Sequence, residues 1–155
     1  MKLSVYYVDA FTDKLFSGNP AAVIFSDIKD ADLMQNIASE NNLSETAFIK
    51  KVDGQYHIRW FAPSCEIDLC GHATLASAYV YFNFINPGST EFEVHSTKNG
   101  TLKVILENDL LFLDFPKDSI APVNENSVEK IIGNKPLEIY QGRDDILAIV
   151  NSETM

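Results

Sequence analysis

An α+β fold, with a curved antiparallel sheet or partial barrel wrapped around one central buried helix, is what this 155-residue sequence predicts. Three observations carry the prediction. Short runs rich in β-branched and aromatic residues recur along the chain, divided by turn pairs such as Asp53-Gly54 and Asn99-Gly100. One helical segment, "ATLASAYVYFNF" from Ala73 to Phe84, is apolar around most of its circumference, as a helix enclosed on all sides must be. The other, from Asp30 to Asn41, is apolar along one stripe only, the mark of a surface helix.

Each element has its own local reason. "LSVYYVDAF" reads as a strand with Leu3, Val5 and Tyr7 on one face and Tyr6 and Val8 on the other, both faces covered. The turn "SGNP" leads into "AAVIF", since Pro20 opens a strand but does not occupy its middle. In the first helix Leu33 and Ile37, joined by Met34 and Ala38, recur at helical spacing behind a capping Asp30. "TAFIKK" and "YHIRWF" form a hairpin about Asp53-Gly54. "TEFEVHST", "GTLKVILEN" and "LLFLDF" continue as three strands, turned at Asn99-Gly100 and Asn108-Asp109, and antiparallel pairing is the economical arrangement. A weaker helical pattern covers Ser127 to Ile132, followed by strand-like "LEIYQ" and "DILAIV". The small residues of the buried helix allow surrounding strands to approach closely.

A chain of this length buries roughly 65–70% of the surface its unfolded form exposes, enough for one core without a metal or disulfide. No repeat, low-complexity tract or linker divides it, so residues 1–155 read as one domain. "DDILAIVNSETM" stops directly after a strand-like run, which predicts that a longer polypeptide continues there. The formal charge of −10 repels nucleic acid and anionic lipid, and Arg59 and Arg143 are the only arginines. Neither kind of partner is expected. No apolar run spans a bilayer, and Asp9 interrupts the N-terminal segment too early for a signal peptide. Cys65 and Cys70 are read as free thiols in a reducing cytoplasm.

Chemistry concentrates in "SCEIDLCGHATLASA", Ser64 to Ala78, where Cys70, Gly71 and His72 precede the buried helix. The first N–H groups of such a helix lack intrahelical acceptors, so a carboxylate or developing oxyanion can bind there, worth ~1 kcal/mol from the helix field. His72 can join those donors or relay a proton, and Asp68 caps or braces the turn. The residues alone leave open that His72 merely ties the helix end to a strand. Cys65, Cys70 and His72 lack a compelling fourth ligand beyond Glu66 or Asp68, and no metal site is predicted. Gly-rich nucleotide loops and a nucleophile elbow are absent, so no nucleotide cofactor or serine-hydrolase chemistry is indicated.

Three ordered blocks carry a resemblance. "DAFTDKLFSGNPAAVI", "NLSETAF" and "IRWFAPSCEIDLCGHATLASA" together resemble the N-terminal half of the phenazine biosynthesis PhzF-like family. That resemblance implies a diaminopimelate epimerase-like fold, in which two similar halves each wrap strands around a central helix and the active cleft lies between them. It implies cofactor-independent acid/base isomerisation or epimerisation of a small carboxylated or cyclic metabolite. Glu45 of "LSET" would transfer the proton, and His72 would assist. Gly71, His72, Ala73 and Asn19 would receive the substrate. Asn19 and Gly18 also suit a purely architectural turn, as Asp9 and Thr12 suit bracing of the first loop.

Related epimerases of the fold use paired cysteines as acid and base, which makes Cys70 the alternative catalytic residue. Cys65 is read as a loop or core thiol. The resemblance covers about half of a family member, and the opposing half, with its Asp/Gly/Ser-containing block, has no match in this chain. Two readings follow: one half of an isomerase, or a small-acid-binding or assembly module without turnover. A homodimer is the remaining partner to weigh, and it would oppose duplicate Glu45 and Gly71-His72 sites in place of two unlike walls.

Overall fold

The computed structural model describes residues 2–124 and 126–151. They fall into two compact units, one ending at Phe115 and the other beginning at Pro116.

The first unit is built from β1 (Tyr6–Ala10), β2 (Asn19–Phe25), α1 (Ala31–Asn41), β3 (Glu45–Val52), β4 (Gln55–Phe61), β5 (Glu66–Ile67), α2 (Gly71–Val80), a π-helical turn (Tyr81–Ile85), β6 (Glu91–Ser96), β7 (Gly100–Glu107) and β8 (Leu110–Asp114). The strands form one sheet in the order β1-β2-β3-β4-β6-β7-β8, with β5 added to β4. The sheet curls into a half-barrel, so that α2 packs against β1, β2 and β3 and also against β8.

Pairing follows the predicted hairpins where a short turn joins two strands. Asp53 and Gly54 both take positive φ, 49° and 88°, as do Asn108 and Asp109 at 51° and 63°, the backbone that primed hairpin turns require. The expected antiparallel sheet needs correction at two junctions: β2 pairs with β3, and β4 with β6, in parallel. Each pair is separated in sequence by a helix, α1 or α2, and a helical crossover returns the chain to run in its original direction. β4 meets β6 at only Tyr56↔Val94 and His57↔His95, because the far end of the same β4 edge is taken by β5 at Trp60 and Phe61.

Alternation along the strands gives the sheet two apolar faces. Ala21, Val23, Ala47, Ile49, Ile58 and Trp60 face the core around α2. Ile24, Phe48 and Phe61 form a second cluster with Ile28, Met34 and Ala38, flanked by Leu3, Val5, Leu33 and Ile37. Tyr7 departs from the expected covering of its face: it is exposed, and its hydroxyl donates to Asn41 Oδ1.

Helix α1 begins at Asp30, whose carboxylate accepts from the Asp32 and Leu33 N–H groups, and ends at Asn42 in the left-handed conformation. Helix α2 is buried at seven of its ten positions, Tyr79 being its exposed one. The hydroxyls of Thr74 and Ser77 donate to the carbonyls of Cys70 and Ala73, so these enclosed polar groups are satisfied within the helix. The predicted helical run continues past Val80 as the wider π turn, closed by the Asn86 N–H to the Tyr81 carbonyl. That turn brings Tyr81 onto the Phe92 ring at 4.5 Å while Phe82 is also buried.

The second unit contains β9 (Ala121–Pro122), α3 (Asn126–Ile132), β10 (Glu138–Gln141) and β11 (Ile146–Ile149), with an antiparallel sheet in the order β11-β10-β9. Among the described residues no helix is long and apolar enough to cross a membrane.

Candidate active site

Parallel pairing of β2 and β3 places the starts of both strands at one end of the sheet, beside the N-terminus of α2. Asn19 is the first residue of β2 and Glu45 the first of β3, with Ala21 paired to Glu45. Gly18 makes the preceding turn possible. Its φ is +82°, and a Cβ there would lie 2.2 Å from the Ala10 carbonyl oxygen. Asp9 accepts from the Phe16 N–H and Thr12 Oγ1 from the Lys14 N–H, which braces the same loop.

Three side chains from these elements meet. His72 Nε2 lies 3.2 Å from Glu45 Oε2, and the two side chains are only 10% and 18% exposed. His72 Nδ1, on the other side of the ring, lies 3.4 Å from Cys70 Sγ. Donor atoms of Glu45, Cys70 and His72 all fall within 4.8 Å of one another. Among the described residues these three form the group that offers metal-ligand atoms together, while the imidazole turns a different nitrogen to each partner.

The Cys70 thiol is pushed up to about 12, first by burial and then by Glu45, against the opposing pull of the Ala73 and His72 N–H groups. Cys70 occupies the N-cap position with extended backbone and makes no side-chain cap bond. The thiol is therefore a protonated, buried neighbour of the imidazole at neutral pH. Cys65, by contrast, is exposed and outside this cluster. Glu66 and Asp68, weighed above as further ligands, are committed elsewhere: Glu66 holds Arg59 through two bonds of 2.6 and 2.7 Å, and Asp68 pairs with Lys98.

Gly71 has no strained φ. A Cβ there would lie 3.2 Å from Phe115 Cε2, a tight contact that the ring would have to relieve by a few tenths of an ångström. Ala73 is completely buried in the core, and its backbone N–H is directed at the Cys70 sulfur. Asn19 reaches the cluster indirectly, because its Oδ1 accepts from Ser44 Oγ, which also lies 3.5 Å from His72 Nε2. Ser44 was not singled out by the sequence. Its only signal is adjacency to Glu45, and a serine before a strand ordinarily reads as a turn residue. A cavity of about 980 Å³ opens between the first loop, α2 and the β7–β8 turn, but Glu45, Cys70 and His72 do not line it.

The fold is that of the diaminopimelate epimerase-like class. A predicted epimerase from Pseudomonas aeruginosa resembles it with a TM-score of 0.63 at 20% identity, over 78% of this chain and 45% of that one. Residues 8–138 match the family described as phenazine biosynthesis-like protein, and the chain belongs to that family. The crystal structure of a PhzF family protein from Enterococcus faecalis is similar with a TM-score of 0.86 and 42% identity, over 99% of this chain and 59% of that one. A protein of Pseudomonas aeruginosa named as an uncharacterized isomerase is 43% identical over 155 residues, 99% of this chain and 59% of the relative. The chain thus spans well under two thirds of the length of these relatives.

Proposed function

We propose that this chain supplies one wall of an isomerase that moves a proton on a small carboxylated metabolite without a cofactor, with Glu45 as the proton-transfer group. The observation that carries the reading is the 3.2 Å approach of His72 Nε2 to Glu45 Oε2 at the N-terminus of a buried helix. One Glu45 oxygen is held by the imidazole, which leaves the other to take a proton from a carbon beside the substrate's carboxylate. The helix N-terminus and its N–H donors favour the negative charge that develops as that proton leaves. Return of the proton to the same or a neighbouring carbon completes an isomerisation with no net change in composition. Relatives named as isomerases support the reaction class.

The opposing wall, which would fix the reacting carbon, is expected in the part of the relatives that this chain does not span. On this reading the chain alone binds small acids weakly and has little or no turnover. A second reading keeps Cys70 as the proton-transfer group. Burial beside His72 favours it, whereas the upward-shifted thiol makes it an acid and a poor base at neutral pH.

The test compares this chain with a version carrying the opposing half, against a library of cyclic and open-chain carboxylic acids. Isomers of unchanged mass are separated by chromatography, and deuterium uptake from solvent is followed. The longer version should give isomerised product with deuterium incorporated. Absence of both across the library would overturn the isomerase reading, and full turnover by a verified monomer of this chain would overturn its incompleteness.

A further inference from the structure

Cys70 stands against the imidazole at Nδ1, with Glu45 also close to its sulfur, and the proposed proton transfer does not use it. A neutral imidazole carries one hydrogen and must place it on one of two nitrogens. An ionised Glu45 presents only lone pairs, so the nitrogen 3.2 Å from it, Nε2, has to carry that hydrogen. Nδ1 is then a bare acceptor in a buried residue, and such an acceptor is unfavourable unless a donor meets it. Among the described residues the polar side chain that meets Nδ1 is Cys70, at 3.4 Å from sulfur. Burial keeps the hydrogen on that sulfur throughout the neutral range.

We propose that Cys70 is a positioning residue: its S–H donates to His72 Nδ1 and holds the imidazole as the Nε2–H tautomer that faces Glu45. The geometry assigns the thiol a task that neither its packing nor a nucleophilic role would require. Its catalytic consequence rests on the reading of Glu45 and His72 given above. With Nδ1 occupied by a donor and Nε2 already protonated, the ring stays a donor to Glu45 and does not compete with it for the substrate's proton.

The tautomer can be read without any activity. In this chain labelled with ¹⁵N-histidine, long-range ¹H–¹⁵N correlation at neutral pH should show His72 with a protonated Nε2 and an unprotonated, hydrogen-bonded Nδ1. Cys70→Ala should move the Nδ1 resonance toward that of a free pyridine-type nitrogen while Nε2 stays. Cys70→Ser, which keeps a donor, should return it most of the way. His57 and His95 form their own pair across β4 and β6 and serve as internal reporters of folding. If Cys70→Ala does not fold, the wild-type spectrum and Cys70→Ser decide the matter. A protonated Nδ1 in the wild-type chain, or a Nδ1 resonance unmoved by Cys70→Ala, overturns the proposal.

In the version with the opposing half, Cys70→Ala should slow solvent-deuterium exchange about tenfold, the scale of losing one buried hydrogen bond, and Cys70→Ser should recover most of that loss. If Cys70→Ser instead abolishes exchange while its spectrum matches wild type, the thiol itself moves the proton and the proposal is overturned. If no version exchanges deuterium, the isomerase reading fails and the spectra still settle the tautomer.

Discussion

Helices α1 and α2 differ by one residue in length and pack on opposite faces of the same sheet, yet they obey opposite rules. Helix α1 is locally complete: a carboxylate caps its start, a left-handed asparagine closes its end, and only one stripe is buried. Helix α2 is enclosed on nearly all sides, lacks a side-chain cap, and begins with a glycine pressed under Phe115. Capping bonds consume the first N–H groups of α1. At α2 a cysteine stands in the cap position, and a carboxylate and an imidazole gather nearby. The contrast teaches that the departure from good helix construction is localised where chemistry is proposed, while the supporting helix carries the ordinary stabilising devices.

Glu45→Gln sharpens the contrast most. In the version with the opposing half it should lower turnover by roughly 10²- to 10⁴-fold, the range for removing a general acid or base, with a much smaller change in directly measured ligand affinity. Normal deuterium exchange by a well-folded Glu45→Gln protein would remove Glu45 from the site.

Alkaline titration separates the two helices next. The Cys70 thiol is raised from 9.0 to about 12 in the folded chain, so an unfolded chain loses this proton first as pH rises. The associated stability is fully present below pH 9 and is lost between about 9 and 12, to a total of up to about 4 kcal/mol. Urea unfolding across that window should show a steeper decline for wild type than for Cys70→Ala. Equal slopes would mean that the thiol ionises as easily folded as unfolded.

Gly71→Val tests the packing at the α2 mouth. Its added carbons meet Phe115, and overpacking of this kind costs about 1–3 kcal/mol in chemical unfolding. Adding Phe115→Ala should recover part of that loss, and a Gly71→Val chain as stable as wild type would show that the ring yields freely. The smallest effect belongs to α1: Asp30→Ala should cost about 1 kcal/mol by removing the cap, and the ¹⁵N spectrum of His72 should not change. A change there would mean that the two ends of the sheet are coupled.

Much of this architecture is legible in the amino-acid sequence. Period-two alternation marked the strands, turn residues marked their hairpins, and the missing polar stripe of Ala73 to Phe84 marked the enclosed helix. Which strands run parallel was not legible, since alternation reports which faces are buried and not which neighbour a strand meets. Two-residue strands such as β5 and β9 are too short for any period to register. The π turn escaped because an aromatic run reads the same in either helix type. At the candidate site, the ordered sequence blocks single out Glu45, Gly71 and His72, and the fold brings Glu45 and His72 within 3.2 Å. The role of Ser44 and the approach of Cys70 and Glu45 to different nitrogens of one imidazole depend on a strand pairing that brings distant segments together.

The narrow junction between β4 and β6 has a consequence for how the first unit opens. Only two residue pairs join the β1–β5 portion of the sheet to the β6–β8 meander, whereas β3 and β4 are paired along seven residues and β6 and β7 along six. Cooperative breathing therefore divides at this seam, with the meander rising as its own foldon ahead of β2 and β3. In native-state hydrogen exchange, amides of β6 through β8 should share one opening free energy, lower than that of the Val23, Ala47 and Ile49 amides, and Tyr56 should report the seam itself.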